Sequence, residues 1–149
     1  MTRPILRVDT NDLPDEEFAV VERLLEDLGV QGEELQPHVG VPEVLDTLLV
    51  LSGDSLHVVF EAMLGAAGGA AAAKLGELLR RLPSRSAPGS ATGTQAIADR
   101  DGGGYFLVTK EATEDPDAMT AMLHFDTRLL AAGEALVWDP EIRKWRRQS

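Results

Sequence analysis

Apolar side chains recur three and four apart from Phe18 to Leu28, at Phe18, Val21, Leu24, Leu25 and Leu28, and charged residues fill most of the gaps. The pattern predicts an amphipathic helix with Asp12 as its cap, Pro14 in its first turn and Gly29 as a left-handed stop. A short β-like run, Ile5 to Thr10, precedes it. The outer face of this helix carries Glu16, Glu17, Glu22, Glu26 and Asp27. Such a face is ordinarily just solvated. Glu16, Glu22 and Glu26 are also the positions that a basic partner would meet.

Further along, ELQPHVGV reads as a second strand held to an edge or split by Pro37. VPEVLDTLLVLSG suits either a helix from Pro42 or a buried strand over LLVL, because periodicity does not separate the two in so short a run. Ser52-Gly53-Asp54-Ser55 then makes a turn and a helix cap. From Ser55 the pattern predicts one helix to Leu82, ended by Pro83. Gly65, Gly68, Gly69 and Gly76 lie inside it, each costing a helix about 1 kcal/mol against alanine. Close approach of another backbone to these four glycines, the Gly65, Gly68 and Gly69 face above all, would compensate. That contact is expected either within the domain or between two copies, which makes a homo-oligomer through residues 55–82 the second reading.

PSRSAPGSATG, Pro83 to Gly93, has a linker's composition. Beyond it, TQAIADRDGGGYFLVTK alternates about a glycine-rich turn, as a β-hairpin does. A helix is expected next, with Asp115 as cap, Pro116 at its first position, Met119, Met122, Leu123 and Leu130 inward and Gly133 at its end. EALVWDPEIRKWRRQS reads as strand, turn and return strand, with Trp138 and Trp145 near the two arms as candidate partner-binding residues. The expected fold class is therefore α+β (mixed α/β), a single domain with one sheet, a long Ala/Gly-rich helix and two further amphipathic helices. The 83–93 linker would separate an acidic N-terminal βαβα part from a C-terminal ββαβ part.

Charge narrows the choice of partner. The chain of 149 residues has 14 Lys and Arg against 25 Asp and Glu, a formal net charge of −11. Residues 1–82 hold 6 basic and 15 acidic side chains, net −9, and residues 83–149 hold 8 and 10, net −2. Phosphate backbones and anionic lipid would be repelled, so the expected partner is a protein with a basic surface rather than nucleic acid. RKWRR, with Arg143, Lys144, Arg146 and Arg147, is the counter-example, and it is read as balancing acidic surface. Glu61 and Lys74 bracket only 12 uncharged residues in the Ala/Gly helix, too few for a bilayer core, so no membrane span is expected. The absence of cysteine and of a signal-like apolar stretch near the start points to the cytoplasm.

Candidate chemistry is sparse. His38, His57 and His124 stand at no metal-ligand spacing, so neither metal nor cofactor is expected. Asp99 to Gly104 lacks the acidic spacing of a calcium loop and the lysine of a phosphate loop, and Ser52 to Ser55 lacks a nucleophile elbow. The expected function is a non-catalytic protein-interaction or adaptor module; an acidic inhibitor of a basic toxin is the alternative, and an enzyme with a site assembled from distant residues the third.

The succession of ILRV, an acidic helix, VLDTLLVLSGDSLHVVFEAMLG, an Ala-rich helix ending in LLRRL and a later strand resembles the effector-associated constant component family of bacterial conflict systems. The resemblance spans about residues 5–110 and rests on element order and the small-residue helix. It implies a non-catalytic adaptor, an accessory of a defence or signalling system, and carries no catalytic residue across. The linker and the WDPEIRKW tail depart from it.

Overall fold

The computed structural model describes residues 3–8, 13–34, 48–52, 55–82, 94–99, 104–131 and 133–147. The Pro83 to Gly93 linker, Asp12, Pro37, His38 and the glycine-rich hairpin tip lie outside them. The elements are β1 (Ile5–Val8), α1 (Asp15–Asp27), β2 (Gln31–Glu34), β3 (Leu48–Ser52), α2 (Leu56–Ala67), α3 (Ala71–Arg81), β4 (Thr94–Ala98), β5 (Tyr105–Thr109), α4 (Lys110–Glu114), α5 (Pro116–Leu123), β6 (Ala135–Asp139) and β7 (Lys144–Arg147). Seven strands form one sheet in the order β2-β1-β3-β4-β5-β6-β7, so strands from both sides of residues 83–93 share it. The fold is α+β.

Three strand–helix–strand units build that sheet. β1 and β2, β3 and β4, and β5 and β6 are parallel pairs, each bridged by helix, while β1 with β3, β4 with β5 and β6 with β7 are antiparallel. The helices touch one another as a layer, with α3 against α1, α4 and α5 and α2 against α3 and α5. Strand alternation turns Leu6, Val8, Phe106 and Val108 into the core beneath that layer. Phe106 sits at its centre, with Phe60, Phe125 and Trp145 around it at ring-centroid distances of 6.1, 5.6 and 5.1 Å. Burying each such ring contributes on the order of 2 kcal/mol or more.

The expected single helix from Ser55 to Leu82 is two helices. Ser55 caps the first, accepting from the Val58 amide at 3.4 Å, but Gly68 adopts φ 55° and ψ −128° and ends it. A short 3-10 turn, Gly68–Ala70, leads into α3. Only glycine reaches that conformation without strain, so Gly68 is a breaker and not a packing residue. The 26 residues Leu56–Arg81 do have the length, and an 18-residue window of them the mean hydropathy, 1.4, of a bilayer-crossing helix by composition alone. Within this fold the α3 half buries Ala71, Leu75, Gly76, Leu78 and Leu79 against its neighbours.

Other boundaries moved as well. The second strand is Gln31–Glu34, ahead of the predicted one, whose residues past Glu34 are not described. LLVL is strand β3. The helix capped by Asp115 ends at Leu123, not at Gly133, and the short helix α4 before it was not expected. Met119, Met122 and Leu123 are buried as expected.

Candidate functional site

Of the four glycines expected at a close contact, Gly65, Gly68, Gly69 and Gly76, only Gly76 makes one among the described residues. A Cβ at Gly65, Gly68 or Gly69 would meet nothing within 4 Å among the described residues. All three are exposed, which removes the expected contact within the fold. Gly76 is the real close approach. A Cβ there would stand 2.6 Å from the Thr113 carbonyl oxygen of α4, the same oxygen that accepts from Arg80 Nη1 at 2.5 Å. The alanines of α2 serve a different contact. Ala62 and Ala66 let the left-handed Gly29 turn sit against that helix, where a Cβ on Gly29 would come 2.7 Å from Ala66 Cβ.

The candidate tryptophans are interior in different degrees. Trp145 is 7% exposed, and its indole nitrogen donates to the Ala118 carbonyl at 2.9 Å. It is a core residue with no face for a partner. Trp138, its register partner across β6 and β7, is half-buried with ring centroids 5.6 Å apart, and its indole nitrogen has no hydrogen-bond partner among the described residues. Alternate residues of β7 point outward, and Trp145 is not among them.

The β6–β7 turn is held by one carboxylate. Asp139 accepts from the Glu141 amide at 2.9 Å, the Ile142 amide at 3.5 Å and Arg146 Nε at 3.0 Å. These bonds, the Glu141 amide foremost, hold its carboxyl below the usual range. A depressed folded value means that the unfolded chain binds the proton more readily, so this contribution is present above about pH 4 and is lost as pH falls through the folded value. Asp139→Asn is expected to give a shallower fall in melting temperature between about pH 5 and pH 2 than the parent chain shows. Equal slopes in thermal melts across that range would contradict it.

The acidic helix forms one wall of a trough at the opposite edge of the sheet. Its floor is apolar, from Val8, Phe18, Val21, Leu25 and Val30, and its rim carries the carboxylates of Glu22 and Glu26, with a volume of about 320 Å³. Arg3 is the one cation on the rim among the described residues. Phe18, expected inward, is 39% exposed because the space beneath it is this trough. Gly32 of β2 faces α1, where a Cβ would fall 2.5 Å from Leu25 Cδ1, so the missing side chain widens the opening. Glu33 points to the other face and pairs with Arg7 at 3.5 Å.

Ion pairs fix α1 from behind. Arg81 binds Glu17 at 3.0 Å and Glu77 at 3.2 Å, and Lys74 binds Asp27 at 3.2 Å. Hydrogen bonds, first to Glu17 and then to Glu77, hold the Arg81 guanidinium above its usual value. Glu22 and Glu26, by contrast, have no ion-pair partner among the described residues. Glu16 lies exposed in the first turn of α1, beyond the trough. The structure thus brings Glu22 and Glu26 together beside the β2 edge and leaves Trp138 and Trp145 at the far side of a sheet about 30 Å wide.

Among the described residues β2 is an edge strand. The Gln31 amide donates inward to the Pro4 carbonyl at 2.9 Å, so strand alternation turns the Gly32 backbone N–H and C=O to the free edge. His57 pairs with Glu61 at 3.1 Å, and His124 Nδ1 lies 2.9 Å from the Thr120 carbonyl. No family model matches the chain, and neither a curated protein nor a solved structure does.

Proposed function

We propose that this chain is a non-catalytic protein-interaction module whose α1–β2 trough takes an extended, basic segment of a partner protein. One observation carries the reading: among the described residues an unpaired strand edge lies beside an apolar trough rimmed by the carboxylates of Glu22 and Glu26. An added strand gains main-chain hydrogen bonds from such an edge, and alternate side chains enter the trough. Glu22 and Glu26, free of ion pairs among the described residues, supply the charge selection. The same charge pattern would suit a basic toxin's surface, but the edge strand favours a peptide segment over a broad protein face.

The reading is tested with two labelled peptides of about ten residues, one alternating valine with arginine and the other valine with glutamate. Fluorescence anisotropy is expected to detect the basic peptide at micromolar levels, more weakly as salt rises, and not the acidic one. Glu22→Lys with Glu26→Lys should weaken binding about tenfold or more, or about 1.4 kcal/mol. Binding that ignores the sign of the peptide, or that survives the double reversal unchanged, overturns the proposal.

A further inference from the structure

We infer that the occupant of the trough's edge is a second copy of this chain, whose β7 adds to β2 and continues the sheet head to tail. The inference rests on the reading of the β2 edge given above and names its partner. β2 and β7 are the two outermost strands of the seven, and their charges are opposite. β2 has Glu33, with Glu22 and Glu26 of α1 beside it; β7 reads KWRR.

The match holds on each face of the sheet separately. Trp145 faces the helical layer, so Arg147 lies on that side, and Lys144 and Arg146 lie on the other. On β2, Gly32 faces the helical layer and Glu33 the other side. A β7 laid along β2 with both helical layers on the same side therefore sets Lys144 and Arg146 beside Glu33. Arg147 comes beside Glu22 and Glu26. Arg147 is 76% exposed and Arg146 49%; they pair with the half-buried Glu134 and Asp139, and each guanidinium keeps exposed surface that an added carboxylate can share. Lys144 has no ion-pair partner among the described residues.

Charge also removes the competing arrangements. β2 against β2 would oppose glutamates, and β7 against β7 would oppose lysine and arginines. Edge charges of one sign ordinarily guard a sheet against pairing with itself, which is the reading that predicts a monomer. Opposite signs on the two edges block the symmetric pairs and leave the unsymmetric one open. Such a contact is heterologous, so it builds a ladder of sizes unless a ring closes.

Sedimentation of the full chain up to about 0.5 mM, at about 50 and 300 mM salt, is expected to show masses that grow with concentration beyond a dimer. Glu22→Lys, Glu26→Lys and Glu33→Lys together should abolish this growth, as should Lys144→Glu with Arg147→Glu, and mixing the two variants should restore it. Far-UV circular dichroism identifies a variant that fails to fold. A test without variants is zero-length carbodiimide coupling of mixed light and heavy-isotope chains, expected to link Lys144 of one to Glu33 of another. A wild-type chain that stays monomeric at about 0.5 mM, or association that both reversals leave intact, overturns the inference. Monomers that still take the valine–arginine peptide overturn it alone; monomers that do not overturn the trough reading too.

Discussion

Trp145→Ala is expected to lower stability by about 3–5 kcal/mol, the cost usual for emptying a buried tryptophan site. The ring is 7% exposed, meets Phe106 edge-on at 5.1 Å, and stacks obliquely on Trp138 at 5.6 Å. Its removal also leaves the Ala118 carbonyl without its 2.9 Å donor. Trp145→Phe should recover most of the packing but not that hydrogen bond, and so cost about 1–2 kcal/mol. Urea unfolding of the three proteins tests both steps. Equal midpoints for Trp145→Ala and the parent would show that the tail is not part of the core.

Gly76→Leu should cost about 3 kcal/mol, the upper end for overpacking, and lower the melting temperature by about 10 °C. The obstacle is backbone: the Thr113 carbonyl oxygen stands 2.6 Å from where a Cβ would be, and Met119 Cγ follows at 3.5 Å. Gly76→Ala should cost less, because about 1 kcal/mol of helix propensity works in its favour. Gly65→Ala has the opposite sign. Its Cβ would meet nothing within 4 Å among the described residues, so stability should rise by about 0.5–1 kcal/mol. If Gly65→Ala destabilises and Gly76→Leu does not, the assignment of the close contact is reversed.

What the sequence made legible was wherever one period ran long enough. α1 announced itself through five apolar residues at helical spacing, and Gly29 ends it with φ 72° as expected. The antiparallel β4–β5 pair, the Asp115-Pro116 start of α5 and the β6–β7 return came from alternation and cap chemistry. The break at Gly68 did not, since a glycine inside a helix and a glycine ending one look alike without φ. β2, with sequence QGEE, has no apolar signal at all and is a strand because β1 lies beside it. Half of the trough was therefore named in advance, through Glu22 and Glu26, and the wall that completes it was not. Phe18 and Trp145 were misplaced for a common reason: periodicity tells which residues share a face, but not which face its neighbours cover.

The strand order has a consequence for how the chain assembles. From β4 to β7 each strand pairs with the one made just before it, as β2 does with β1, and only β3 departs from that order, by joining the other edge of β1. A polypeptide emerging from the ribosome could thus lengthen its sheet one strand at a time, without reopening a pair already made. β7 comes last in that succession and brings the indole that covers Phe106. Nascent chains that have emerged as far as β6, with β7 still inside the ribosome, would hold a nearly complete sheet with its central aromatic ring still uncovered, the stage at which a chaperone would find the most to grip.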